Sequence, residues 1–200
     1  MEFKKIQLNG FKSFAEKADF LIEDGLTGIV GPNGCGKSNI VESLRWAMGE
    51  TSAKSMRGSG MEDVIFSGTS NKASKNIAEV TIEVENKDKE GPIQYREHDQ
   101  VQIKRKIEKD KGSKFYINGK EVRARDAQMF FADLSTGAHS PSMISQGRIG
   151  ALVTAKPTDR RAILEEAAGI SGLHVRRHEA ELRLGAAENN LKRADELRSQ

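Results

Sequence analysis

The sequence predicts an α/β fold, and three observations carry that prediction. An apolar stretch runs straight into the glycine-rich run Gly31-Pro32-Asn33-Gly34-Cys35-Gly36-Lys37-Ser38, which opens a helical pattern; residues 77–122 alternate apolar and polar side chains; and a long helical pattern follows Pro157. The first is a strand, loop and helix, the second an antiparallel sheet, the third an extended helix.

Taken in order, Phe3, Ile6 and Leu8, then Phe20-Leu21-Ile22, then Leu26, Ile29 and Val30 form short apolar runs separated by Asn9-Gly10 and Asp24-Gly25, and predict three strands. After the glycine run, Ile40, Val41, Leu44 and Ala47 recur at helical spacing. Residues 49–75 are rich in Gly and Ser, with Val64-Ile65-Phe66 as an apolar anchor. Val80, Ile82 and Val84 alternate with polar residues, as do Val101, Ile103, Arg105 and Ile107. Residues 86–91 read as an exposed charged connection. Asn118-Gly119 between two β-prone runs is a hairpin signal, because both residues tolerate the positive φ that a tight turn demands. Residues 124–134 predict a helix, and residues 135–156 a loop-rich stretch containing Ser145-Gln146-Gly147. Pro157 suits the first turn of a helix, where its missing N–H would have no intrahelical partner. Gly169 and Gly172 interrupt that helix, and Ala180, Leu184, Ala187, Leu191 and Ala194 then follow heptad-like spacing. Spacing alone leaves two readings of this tail open, an amphipathic helix packed on its own domain and a coiled coil. The division expected is residues 1–156 as one lobe and 157–200 as a helical segment.

Composition narrows the class. The chain has 200 residues, and its 32 basic and 29 acidic residues leave a net charge of +3, so charge alone does not argue for nucleic acid. A single cysteine, Cys35, excludes an internal disulfide framework and multi-Cys zinc sites. The N-terminus lacks the apolar run of a signal peptide, and no stretch of about 18 apolar residues occurs, so the expected location is cytoplasmic, with no membrane partner.

The glycine run matches the P-loop pattern in full and in its required context. Glycines let successive backbone N–H groups turn inward around an anion, and the helix N-terminus adds partial positive charge. Lys37 would then reach the outer phosphates and Ser38 hold Mg²⁺, which makes ATP with Mg²⁺ the expected ligand. Cys35 occupies a variable position where its backbone N–H matters most, with a redox role as the lesser possibility. Hydrolysis also needs an acid at the end of an apolar strand and a group that orients water. Asp24 lies too close before the P-loop, Asp133 falls on a predicted helix, and Leu134-Ser135-Thr136-Gly137 is an incomplete likeness of an ABC signature. The hydrolytic set is therefore incomplete in this chain.

Phe11-Lys12-Ser13-Phe14, the P-loop with Asn39, Asp63-Val64-Ile65-Phe66, Ser145-Gln146-Gly147 and Leu164-Glu165-Glu166-Ala167-Ala168-Gly169-Ile170 occur in one order along the chain. Together they resemble the N-terminal half of the ATPase head of bacterial SMC (chromosome partition) proteins. That resemblance implies an ABC-type P-loop NTPase head lobe with a mixed sheet, an antiparallel β-subdomain and the start of a long coiled-coil helix. It implies that Gly31, Pro32, Asn33, Gly34, Cys35, Gly36, Lys37, Ser38 and Asn39 hold ATP with Arg57 of an arginine loop nearby, and that Ser38 and Gln146 of a Q-loop coordinate Mg²⁺. In that family the signature motif, Walker B acid and catalytic glutamate lie in a C-terminal half, so this chain alone is expected to be inactive. The implied partners are that half, a second head in a homodimer, a kleisin subunit and nucleoid DNA. Lys72, Lys75, Lys104, Arg105, Lys106, Arg123 and Arg125 are candidates for a basic DNA-facing surface. The rivals are a Rad50-like or RecN-like repair ATPase, against which the run at residues 164–170 argues, and a nucleotide-gated assembly module that never hydrolyses.

Overall fold

The alternating residues build one continuous antiparallel sheet in the computed structural model of the chain, which describes residues 1–87, 89, 91–134, 143, 153–167 and 171–199. Its strands are β1 (Glu2–Asn9), β2 (Ala18–Leu21), β3 (Ile77–Glu85), β4 (Gln100–Glu108), β5 (Gly112–Ile117) and β6 (Lys120–Val122), in the spatial order β2-β1-β3-β4-β5-β6. Every neighbouring pair is antiparallel. The expected mixed sheet with a separate antiparallel subdomain is thus a single sheet among the described residues, because β1 pairs with β3 directly.

Register explains the core. Ile6, Ile82, Ile103 and Ile117 stand opposite one another across four strands and are all buried, as a period-two pattern requires of one sheet face. The adjacent row is Leu8, Val80, Arg105 and Phe115, so a cation occupies an inward position. The β5–β6 turn forms at Asn118 and Gly119, whose φ angles of 49° and 80° are those the hairpin signal anticipates.

Helix α1 (Lys37–Ala47) packs on β3 and β4. Its Trp46 is fully buried, with its ring 5.5 Å from that of Phe11. Arg105 joins sheet to helix: it is 3 % exposed, donates from Nη1 to the carbonyls of Trp46 (2.6 Å) and Glu50 (2.7 Å), donates from Nε to Ser113 Oγ (2.8 Å), and lies between the rings of Trp46 and Phe115. Arg105 is therefore removed from the candidate DNA surface. Burial pulls its pKa down to about 10, against the opposing charge of Glu50, which leaves it protonated at neutral pH.

Helix α2 (Ala124–Asp133) lies against β5 with Phe130 and Phe131 buried, and Gln128 donates to the Gly49 carbonyl (2.8 Å) just beyond α1. Helix α3 (Pro157–Ala167) starts at the expected proline, and α4 (Ser171–Ser199) follows. Along α4, Leu184 and Leu191 are 64 % and 65 % exposed, so the heptad-spaced side chains are not covered by the described residues of this chain.

Two further expectations fail. No strand forms over residues 26–30: Leu26, Ile29 and Val30 are 96 %, 43 % and 92 % exposed. A strand exists only through hydrogen bonds to a neighbour, and no neighbour runs beside this stretch among the described residues. The connection at residues 86–91 is not wholly exposed either. Asn86 is fully buried; its side-chain amide donates to the carbonyls of Tyr95, Arg96 and His98, and its Oδ1 accepts from Gly91 N at 3.1 Å.

Candidate nucleotide-binding site

The glycine loop meets its helix at Gly36, whose φ of 94° closes the turn before the first helical residue, Lys37. A Cβ at Gly36 would sit 2.9 Å from Ser13 Oγ and 3.4 Å from the Phe14 ring, so only glycine lets the loop close on the turn at residues 11–14. Gly34 also has positive φ, 81°. Gly36 contributes no capping side chain and the first turn of α1 holds no acid, so its orphan N–H groups face no competing carboxylate. Lys37 folds back over the loop, donating to the carbonyls of Gly31 and Pro32, both at 2.6 Å, with Cys35 Sγ 3.9 Å away. Gly31, Pro32, Asn33, Gly34, Cys35 and Ser38 are exposed, and Lys37 and Asn39 half-buried. A triphosphate fits this chemistry: exposed backbone donors, a helix N-terminus and one ammonium converge.

Arg57 reaches the same place from a different segment. It follows the 3-10 turn Lys54–Met56 in a left-handed conformation, φ 53°. Its Nη2 donates to Asn39 Oδ1 (3.0 Å), its Nε pairs with Glu42 Oε1, and Asn39 Nδ2 donates to Ser13 Oγ (2.8 Å). Lys12 Nζ holds Glu42 Oε2 and the Met56 carbonyl. The apolar anchor fixes this arrangement to the sheet: Val64, Ile65 and Phe66 are buried, Lys12 N donates to Val64 O (2.7 Å) and Phe66 N to Gly10 O (2.8 Å). Asp63 closes the arginine loop by accepting from Ser59 N (2.6 Å), Ser59 Oγ (2.9 Å) and Gly60 N (2.9 Å).

The structure thus brings Gly31 to Asn39 and Arg57 together. Gln146 lies outside the described residues, as do residues 135–137 and 168–170. The sequence did not point to Glu42 as a site neighbour, and it marked Lys12 and Ser13 only as part of the Phe11–Phe14 motif, with no role at the site. Of the basic candidates, Lys72 and Lys106 face Glu16 and Glu79 at 3.8 and 3.9 Å.

A glycine loop that opens a helix against an antiparallel sheet, followed by a long outgoing helix, defines the N-terminal lobe of an ABC-type P-loop ATPase head. The chain belongs to the RecF/RecN/SMC N-terminal domain family, whose family model matches residues 2–148. It is 56 % identical over 197 residues to the chromosome partition protein Smc of Rhodopseudomonas palustris, covering 98 % of this chain and 17 % of that protein. To its counterpart in Myxococcus xanthus it is 44 % identical over 199 residues, covering 98 % of this chain and 16 % of that one. The chain therefore spans about a sixth of the length of these relatives. Among solved structures, it is similar to the Smc head domain with an extended coiled coil bound to the C-terminal domain of ScpA from Pyrococcus furiosus, at TM-score 0.75 and 32 % identity, with 98 % of this chain and 49 % of that one covered. A structure described for ATP-driven dimerisation and DNA-stimulated activation of SMC ATPases matches at TM-score 0.70 and 31 % identity, with 84 % of this chain and 99 % of that one covered. Both curated relatives are named chromosome partition protein Smc.

Proposed function

We propose that this chain is the ATP-binding half of an SMC ATPase head, which acts in chromosome partition by ATP-dependent head engagement on DNA. The observation that carries this reading is the glycine loop opening α1 with the Lys37 ammonium lying across it. Gly31, Gly34, Gly36, Lys37 and Ser38 would hold the phosphates and Mg²⁺, with Asn39 and Arg57 beside them and Gln146 as Mg²⁺ ligand and sensor. Lys37 would exchange the Gly31 and Pro32 carbonyls for phosphate oxygens, a like-for-like trade of acceptors that strengthens with acceptor charge.

The exposed run at residues 26–30 supports a composite head. Its apolar side chains, and backbone groups that the described residues leave unpaired, suit strand pairing with the C-terminal half, which would also bring the residues that cut ATP. The exposed heptad positions of α4 suit a returning coiled-coil strand. A second head, a kleisin and DNA are the further proposed partners, by likeness to proteins described with ScpA, ATP-driven dimerisation and DNA stimulation. No helix among the described residues is long and apolar enough to cross a membrane, and the proposed location is the cytoplasm, on the nucleoid.

The test is ATP turnover by this chain alone and with the C-terminal half supplied separately. Turnover is expected only from the pair; robust hydrolysis by the chain alone would overturn the split site. Lys37→Ala should weaken ATP binding at least about tenfold with the fold intact, since it removes a charge-assisted contact.

A further inference from the structure

The least explained charged group near the loop is Glu42. It is 7 % exposed on the inner side of α1, and a carboxylate is left there only when well paired. Its two oxygens are divided between two cations from different segments: Oε1 takes Arg57 Nε and Oε2 takes Lys12 Nζ. Both cations sit in left-handed backbone, Arg57 at φ 53° and Lys12 at φ 46°. Non-glycine residues persist there only when their surroundings hold them.

The charge count is unequal. One buried carboxylate meets two cations, so the trio keeps a surplus positive charge. That surplus is presented on Arg57, whose side chain is 58 % exposed although Nε and Nη2 are both fixed to α1, at Glu42 and Asn39. An exposed arginine normally loses rotamer entropy when it meets a ligand; one tethered at two nitrogens has already lost much of it. Asn39 and Glu42 are three residues apart, so both tethers project from one face of the helix whose N-terminus carries the glycine loop.

We infer that Glu42 is a positioning residue: through its carboxylate it holds Arg57 preorganised, with its remaining donors directed at a bound polyphosphate, while Lys12 balances the buried charge. This rests on the reading of Arg57 as a nucleotide contact. Glu42 itself touches no nucleotide; its effect passes wholly through the guanidinium. Replacing it with glutamine keeps the shape, removes the charge that organises both cations and frees Arg57 to move.

The test is a double-mutant cycle read by calorimetric titration of the chain with MgATP, with thermal midpoints recorded alongside. Arg57→Gln should weaken MgATP binding about tenfold and Glu42→Gln by a similar factor, as expected for loss of one charge-assisted contact. The double variant should bind no more weakly than Arg57→Gln alone, because the tether has nothing left to position. A general loss of stability would instead weaken binding equally in both backgrounds. Losses that multiply, or a Glu42→Gln protein that binds as the parent does while Arg57→Gln does not, would overturn the inference. Unchanged binding by Arg57→Gln would sink the reading of Arg57 itself, and the inference with it. Should Glu42→Gln not fold, the paired change Lys12→Met with Glu42→Gln removes both buried charges together, and the same cycle is run from it.

Discussion

The sheet and the approach to the glycine loop are close in sequence yet opposite in physical state. In the sheet, every strand has a hydrogen-bonded neighbour and the row from Ile6 to Ile117 is buried. Along residues 26–30, the apolar side chains Leu26, Ile29 and Val30 stand in the open, with Val30 92 % exposed. Both stretches carry β-prone apolar residues, but the strands alternate them with polar ones whereas residues 26–30 set Leu26, Ile29 and Val30 around Gly28, and only the strands have a neighbour at hand among the described residues. Fold and function separate along that line. Each strand of the sheet pairs with at least one other strand of this chain, whereas the segment that delivers the proposed phosphate cradle is left unpaired by the described residues.

The largest expected effect tests this contrast directly. Amides of β3 and β4 should exchange with solvent at least about a thousandfold more slowly than those of residues 26–30, since the former open only with global unfolding. Adding the C-terminal half of the head should slow exchange at residues 26–30 and leave β3 unchanged. Uniform protection in the chain alone would break the comparison.

Next in size is the joint between sheet and α1. Arg105→Ala removes the charged donor shared by the Trp46 and Glu50 carbonyls, leaving Trp46 O with the Gly49 N–H at 3.1 Å, and empties the space between the Trp46 and Phe115 rings. A loss of roughly 3 kcal/mol of unfolding free energy is expected by denaturant titration, from lost charged hydrogen bonds and ring contacts. By contrast Val30→Ser should change stability by less than about 0.5 kcal/mol in the chain alone, as at any exposed position. It should measurably weaken association with the C-terminal half. A large effect of Val30→Ser on the isolated chain would mean that residues 26–30 are packed after all.

What was legible in the sequence followed locality. The loop at residues 31–38, the Asn118-Gly119 turn and the Pro157 helix start are each set by a few adjacent residues, and each stands where expected. Arg105 showed its inward phase beside Val101, Ile103 and Ile107, but its charge argued for the surface; only the facing carbonyls at the end of α1 reveal why burial is tolerated. The segment at residues 26–30 carried apolar residues that predicted a strand but no information about a partner, and no strand forms there among the described residues. Glu42 was unreadable as a site residue because its partners stand 30 and 15 positions away, across two loops.

The smallest expected effect concerns the arginine loop, where sheet and cradle meet. The N–H groups of Gly60 and Ser59 and the Ser59 hydroxyl hold the Asp63 carboxyl below its ordinary value of 3.8. A carboxylate with a lowered folded-state pKa contributes stability that is complete above the unfolded value and is lost as pH falls through the lowered one. The arginine loop should therefore be insensitive to pH from neutrality down to about 4, and loosen only below that. Amide shifts of Ser59 and Gly60 followed by NMR should report one acid-range transition below 3.8. In Asp63→Asn that transition should vanish while the loop keeps an acceptor oxygen. Because Arg57 is also tied to α1 through Asn39 and Glu42, nucleotide affinity in Asp63→Asn should fall by no more than about threefold. A larger fall would show that the turn at residues 58–63, rather than the helix, sets the position of Arg57.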